Sequence, residues 1–168
     1  MERILVAYAT KHGSTEQVAA AIARALEAEG SDVDLRPAHA IDDLTQYDGV
    51  VLGGALYTGR LHRDARRFLR AYDDVLATLP VAVFAMGPLS MEETQVRNSR
   101  DQLERALAKT PAVKPVATTI FGGVVQPTEL GFPFNKMARS DARDWTEIER
   151  WAREVATAFA ARLPVATA

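Results

Sequence analysis

A hydroxyl-rich loop follows the first apolar run of the chain. The run covers residues 4–8, and the loop reads Thr10-Lys11-His12-Gly13-Ser14-Thr15. Apolar residues with helical spacing begin directly after it, so the loop lies at a helix N-terminus. Hydroxyl groups, a glycine and free amide N–H groups suit an anion there, because the helix dipole and the unpaired donors both favour a phosphate. The alternative is a glycine turn in which Ser14 only caps the helix.

Other phosphate-binding motifs do not fit this chain. The first apolar run is not followed by G-x-G-x-x-G, which weakens a dinucleotide site. Gly54 and Gly59 have the spacing of a P-loop, but Arg60 and Leu61 follow where Lys and Ser or Thr are required. The apolar run that ends at Leu52 lacks the acceptor Asp of a receiver domain. These three nucleotide or phosphotransfer classes are therefore disfavoured.

Composition restricts the chemistry further. The 168 residues contain no Cys, which excludes disulfides, thiolate nucleophiles and Cys-ligated metals, so redox chemistry requires a bound cofactor. Lys and Arg total 20 against 22 Asp and Glu, a net charge of -2 that argues against nucleic acid as a partner. Three scattered His residues predict no metal site. Neither a signal peptide nor a transmembrane segment is recognisable, so we expect a cytoplasmic protein.

Short apolar runs alternate with helical patterns. Residues 4–8, 50–52, 81–86 and 116–121 are mainly apolar and do not alternate, as expected of parallel strands covered on both faces, and residues 33–36 alternate like an edge strand. Four helices are predicted by apolar stripes, and capping boxes are predicted before the first and last of them. The stripes are Val18, Ile22 and Leu26; Ala65, Phe68, Leu69, Tyr72 and Leu76; Val96, Leu103 and Leu107; and Ile148, Trp151, Val155 and Phe159, with boxes at Ser14/Gln17 and Thr146/Glu149.

This alternation predicts a doubly wound α/β sheet, in which ligands bind outside the carboxyl ends of the strands. No linker or repeat divides residues 1–168, so one domain is expected. Residues 123–145 are too long for a simple strand-to-helix connection and form a predicted insertion. Its apolar side chains indicate a lid or docking surface, or alternatively a small core of their own; they are Leu130, Phe132, Phe134 and Met137.

The first loop resembles the flavodoxin phosphate loop, Ser/Thr-x-Ser/Thr-Gly-x-Thr. Thr10, Gly13 and Thr15 match that pattern, and His12 replaces one hydroxyl but can still donate a hydrogen bond to phosphate. The resemblance extends over the whole chain. It implies a flavodoxin-like parallel sheet of strand order 2-1-3-4-5 with helices on both faces, and FMN as the cofactor.

Within that superfamily, the chain is most similar to the menaquinone-dependent protoporphyrinogen oxidase type. The segment from Gly53 to His62 resembles the second loop of that group, and the insertion followed by Asp144 and Trp145 is similar as well. The resemblance implies that the phosphate loop and two further loops contact FMN, with Tyr57 stacking on the ring and backbone groups at its polar edge. These further residues are Ala55, Leu56, Tyr57, Thr58 and Gly59, and Met86, Gly87, Pro88 and Leu89.

Two functions remain open, beside a third possibility: an interaction domain that has lost FMN, which His12 and the weak match of the third loop leave open. One is an FMN oxidoreductase that oxidises protoporphyrinogen or a similar aromatic substrate with a quinone-type acceptor. The other is a flavodoxin electron carrier without its own substrate, working with a redox protein partner. Flavodoxin carriers are strongly acidic, so the near-neutral charge favours the enzyme. Arg63, Arg66, Arg67 and Arg70 give one helix a basic face, which is either simply solvated or steers a carboxylated substrate or a peripheral membrane contact.

Overall fold

A computed structural model describes residues 1–125, 131–132 and 139–163. Its strands and helices alternate along the chain as the apolar pattern predicts. The strands are β1 (Arg3–Ala9), β2 (Asp32–Pro37), β3 (Gly49–Tyr57), β4 (Arg60–Leu61), β5 (Val81–Met86), β6 (Ala117–Phe121), β7 (Val124–Val125) and β8 (Ser140–Asp141). The helices are α1 (Ser14–Ala28), α2 (Arg63–Ala71), α3 (Asp73–Leu76), α4 (Glu93–Leu107) and α5 (Trp145–Ala160).

Five parallel strands form the sheet in the order β2-β1-β3-β5-β6. Counted as parallel strands, this is the predicted order 2-1-3-4-5, so the doubly wound fold is confirmed. The two-residue strand β4 adds to β3 in antiparallel direction, and β7 pairs with β8 in a separate antiparallel ribbon. The carboxyl ends of β1, β3 and β5 therefore lie side by side at one edge of the sheet.

Two apolar layers cover the sheet. On one face, α1 and α5 pack over Ile4, Val51 and Phe84, and the Phe84 ring makes a tilted contact with Phe121 and an edge contact with Trp151. The opposite face packs against α2, α3 and α4. Burial of both faces explains why the central strands are continuously apolar rather than alternating.

The third strand is longer than predicted. Its apolar signal stops at Leu52, yet the strand continues to Tyr57 through Gly53 and Gly54. Glycine is a poor strand former, but here it leaves room for packed side chains. A Cβ at Gly53 would lie 2.0 Å from Cζ of Phe84, and one at Gly54 would lie 2.8 Å from Cδ1 of Leu61.

Both predicted capping boxes are wrong. Ser14 is the first residue of α1, whose N-cap is Gly13, and no side chain caps that helix. Helix α5 is capped by Asp144, which accepts the Glu147 N–H at 3.2 Å, while Thr146 already lies inside the helix. A side chain inside the first turn cannot take the place of the preceding N-cap residue.

We expect Gly53→Ala to lower the free energy of unfolding by about 1–3 kcal/mol, because the new methyl group would overlap the Phe84 ring. Urea unfolding followed by circular dichroism measures this loss. The control is the double variant Gly53→Ala/Phe84→Leu, which removes the atoms that clash. Its loss should be smaller than the sum of the two single losses. Additive losses would show that Phe84 is not the source of the conflict.

Candidate functional site

The loop between β1 and α1 is shaped by a threonine and a glycine. The Gly13 N–H donates to Oγ1 of Thr10 at 2.9 Å, and the Gly13 carbonyl accepts the Gln17 N–H at 3.2 Å. Gly13 has a φ of 88°, a left-handed conformation that glycine adopts without steric cost. Lys11 is exposed, and His12 and Ser14 are half-buried. The loop thus turns sharply into α1 and leaves the first turn of the helix uncapped.

Thr15 is the unusual residue of that first turn. Its side chain is 0% exposed, and its Oγ1 has no hydrogen-bond partner among the residues that the structure describes. A buried hydroxyl without a partner costs about 1–3 kcal/mol. The amides of the first helical turn also have no intrahelical acceptors. An anion bound at this turn would satisfy the amides and the hydroxyl together.

The second predicted loop is mostly a strand and a tight turn. Ala55, Leu56 and Tyr57 are the last residues of β3, and only Thr58 and Gly59 form the turn into β4. Their φ values are 46° and 77°, which is the pattern of a type I′ hairpin turn. A β-branched residue rarely adopts positive φ, so Thr58 carries strain of about 1–3 kcal/mol. Such strain is typical of positions fixed for function.

Aromatic contacts join the first two loops. The Tyr57 ring lies 6.3 Å from the His12 ring and 6.2 Å from the His62 ring, with edge geometry in both cases. His62 caps α2, since its Nδ1 accepts the Asp64 N–H at 3.1 Å. Burial lowers the pKa of His62, and the Asp64 carboxylate opposes this effect. The neutral imidazole that can accept this hydrogen bond is therefore favoured.

The third loop packs against the second. Met86 ends β5 and is buried, and a Cβ at Gly87 would lie 3.0 Å from Cδ1 of Leu56. The Gly87 N–H donates to the Phe121 carbonyl at 3.1 Å. Because the backbone at Gly87 lies this close to the Leu56 side chain, the end of β3 and the start of the third loop occupy one site.

The third loop also contacts the start of the insertion. The Pro88 carbonyl accepts the Gly123 N–H at 2.8 Å, while the Leu89 side chain is 43% exposed. Ser90, which follows, has a buried Oγ without a partner among the described residues, and sequence analysis did not single it out. The three predicted loops and the insertion thus meet at the carboxyl edge of the sheet.

The insertion is anchored at its base. Strands β7 and β8 pair there, and Arg143 holds Asp141 with two hydrogen bonds of 2.9 and 2.7 Å. These bonds lower the pKa of Asp141. The same guanidinium donates to Oε1 of Gln17 at 2.5 Å and lies 4.8 Å from the centre of the Trp145 ring. Arg143 therefore ties the insertion to the first turn of α1, a contact that no local sequence pattern indicates.

The predicted lid residues are only partly described. Phe132 is 80% exposed and is not part of the core. Leu130, Phe134 and Met137 lie outside the described residues. No helix within residues 1–125, 131–132 and 139–163 combines the length and apolar character needed to cross a membrane. Over the same residues, no three His, Asp or Glu side chains are grouped so as to hold a metal ion.

Comparison with known proteins places this arrangement in a family. The family described as "Flavodoxin domain" matches residues 5–139. The chain is 20% identical to the Escherichia coli (strain K12) protoporphyrinogen IX dehydrogenase [quinone] over 171 residues, covering 92% of this chain and 94% of that protein.

Solved structures show the same fold. A cysteine variant of the flavodoxin from Pseudomonas aeruginosa is 19% identical with a TM-score of 0.63, covering 94% of this chain and 99% of that one. The rubredoxin oxygen:oxidoreductase of Desulfovibrio gigas is 14% identical with a TM-score of 0.64, covering 98% of this chain and 38% of that one.

The chain belongs to the flavodoxin family, which confirms the resemblance found in the sequence. Membership in this family implies FMN as the cofactor, as predicted, and a redox function based on it. The uncapped first turn of α1 and the buried Oγ1 of Thr15 fit a phosphate group.

We expect Arg143→Ala to lower the free energy of unfolding by about 1–2 kcal/mol, because charge-assisted hydrogen bonds of a side chain only 10% exposed are lost. The control is Arg150→Ala, which breaks an exposed ion pair with Glu147 and should cost under about 1 kcal/mol. Denaturant unfolding of both variants measures the difference. Equal losses would mean that Arg143 contributes no more than a surface ion pair.

Proposed function

We propose that this protein is an FMN-dependent oxidoreductase whose phosphate site is the loop Thr10-Lys11-His12-Gly13-Ser14-Thr15. The observation that carries the proposal is the buried, unpartnered Oγ1 of Thr15 in the uncapped first turn of α1. Oγ1 of Thr10 already accepts the Gly13 N–H, so its own hydrogen remains to be donated to a phosphate oxygen. Lys11 and His12 add positive charge or a further donor.

The flavin ring would lie between the second and third loops. Tyr57 offers an aromatic face, and the backbone of residues 55–59 and 86–89 offers donors and acceptors for the polar edge of the ring. The close packing of Leu56 against Gly87 supports a shared site. When bound, FMN supplies one- or two-electron transfer, and the protein controls the position and polarity around it. The strained turn at Thr58 and Gly59 would fix the loop in one conformation.

For the substrate, we propose protoporphyrinogen or a similar aromatic molecule, with a quinone-type acceptor. Support comes from the likeness to the Escherichia coli enzyme and from the net charge of -2, which lacks the acidic character of a carrier. Leu89, Met91 and Phe132 are exposed apolar side chains in the third loop and the insertion. They would cover a substrate or contact a membrane surface peripherally.

The second candidate is an electron carrier that exchanges electrons with a redox protein and has no substrate of its own. Its support is the likeness to flavodoxin structures, such as the one from Pseudomonas aeruginosa, over nearly the full length of both chains. The two candidates differ in one measurable property, since only the enzyme binds and oxidises a small organic substrate.

We expect Thr15→Val to weaken FMN binding about 10- to 100-fold, because a hydrogen bond to a dianion contributes about 1.5–3 kcal/mol. Riboflavin, which lacks the phosphate, should bind with unchanged affinity. Without FMN the variant should unfold at equal or higher denaturant, because Val removes an unpartnered hydroxyl. Flavin fluorescence titration and urea unfolding measure these effects.

The matched control is Thr110→Val, since Thr110 is also buried but its Oγ1 bonds the Leu107 carbonyl far from the site. This variant should lose stability and keep its FMN affinity. If Thr15→Val weakened FMN and riboflavin equally, Thr15 would not be a phosphate ligand.

We expect the FMN-loaded protein to oxidise protoporphyrinogen anaerobically with menadione as acceptor, with saturation in both compounds. Phe132→Ser should lower this turnover several-fold and leave FMN bound, because an exposed apolar side chain of the insertion would contact the substrate rather than the cofactor. The control is Val75→Ser, an exposed apolar residue of α3 away from the site. Porphyrin fluorescence follows the reaction. FMN binding without any porphyrinogen oxidation would favour the carrier.

A further inference from the structure

A cavity of about 260 Å³ lies between the segment after β2 and one side of α2. His39 and Ile41 line it from the first segment, and Asp64, Arg67, Phe68 and Tyr72 line it from α2 and its C-cap. None of these residues belongs to the proposed FMN site. The volume is just below the roughly 300–1,000 Å³ of typical small-molecule sites, so a ligand of one or two rings fits it.

The floor of the cavity contains two aromatic rings. Phe68 and Ile41 are buried, and the rings of Phe68 and Tyr72 lie 5.1 Å apart with a tilt of 53°. The Tyr72 hydroxyl donates to the Ile41 carbonyl at 2.9 Å, which fixes the ring and satisfies its polar group. A rigid floor built from two rings favours a flat apolar ligand.

The rim carries positive charge. Arg63 Nε lies 3.7 Å from one Asp64 oxygen and pairs with this acid at the rim, and His39 Nδ1 lies 3.7 Å from the other oxygen. Among the described residues, no ion pair engages Arg67. Helix α2 holds four Arg and one Asp in nine residues. A guanidinium above an apolar floor suits a carboxylate, which it can bind through two hydrogen bonds.

We propose that this cavity is a second ligand site, separate from the flavin site, that binds planar aromatic carboxylates of one or two rings. The ligand's ring lies against the half-buried Tyr72 ring, which Phe68 supports from behind, and the carboxylate pairs with Arg67. A single residue, His62, links this cavity to the FMN loops. The Asp64 N–H donates to His62 Nδ1, and the His62 ring contacts Tyr57. Binding here does not depend on the proposed cofactor or substrate.

The test uses the full chain, with and without FMN, and a fluorinated 2-naphthoate observed by fluorine NMR. We expect saturable binding in both forms. Arg67→Gln should weaken it about tenfold through loss of the charge-assisted pair. Ala71→Leu should abolish it, because Ala71 lines the cavity and the larger side chain fills it. The matched control Arg70→Gln removes an equal charge from the same helix outside the cavity and should leave binding unchanged.

Three results would overturn the proposal. One is the absence of naphthoate binding up to millimolar concentration. Another is displacement of naphthoate by FMN, which would put the probe in the flavin site. The last is equal weakening by Arg67→Gln and Arg70→Gln, which would indicate a diffuse attraction to the basic helix. FMN affinity should be unchanged in all three variants, so failure of this site is distinguishable from failure of the flavin site.

Discussion

The close approach of Phe84 to Gly53 at the centre of the sheet is the contact on which the remaining structure depends. The Phe84 ring occupies the space that a side chain would need at position 53 of β3. It also packs on Phe121 and Trp151. It therefore links β3, β5, β6 and α5 in one layer. Because interiors are close-packed, this contact holds β3 against β5 in a single arrangement. That arrangement brings Tyr57 and Met86 to the same edge of the sheet.

Energetically unfavourable features that are absent from the core strands are concentrated at the carboxyl edge of the sheet. The core strands bury only apolar side chains, whereas the site contains the unpartnered hydroxyls of Thr15 and Ser90 and the strained Thr58. Each of these features is unfavourable by itself, and each can persist because the surrounding sheet and helices fix the backbone. If FMN binds as proposed, its phosphate would satisfy the Thr15 hydroxyl, so ligand binding and stability should be linked in this protein.

Much of the fold could be predicted from the sequence because burial on both faces leaves a continuous apolar signal in β1 and β5. The end of β3 could not be predicted, because Gly53 and Gly54 have low strand propensity. The structure needs glycine at 53 because the Phe84 ring leaves no room for a side chain there. The first capping box failed because Gly13 turns the chain one residue earlier than Ser14 would, and the second failed because Asp144 caps α5. Arg143 was missed because its partner Gln17 lies 126 positions away. The loop residues of the site were found by motif, and their ligand roles remain predictions.

The helix that follows the second loop, α2, lies between the proposed FMN site and the proposed second ligand site. Its N-cap, His62, contacts Tyr57 on one side and binds the backbone of Asp64 on the other, and Asp64 faces the cavity beside Arg67. Burial lowers the pKa of His62 and so favours the neutral imidazole, which is the form that can accept the Asp64 N–H. The start of α2 is therefore set by the same residue that supports the proposed stacking tyrosine. His62 thus links Tyr57 to the start of α2 through one side chain rather than through the core.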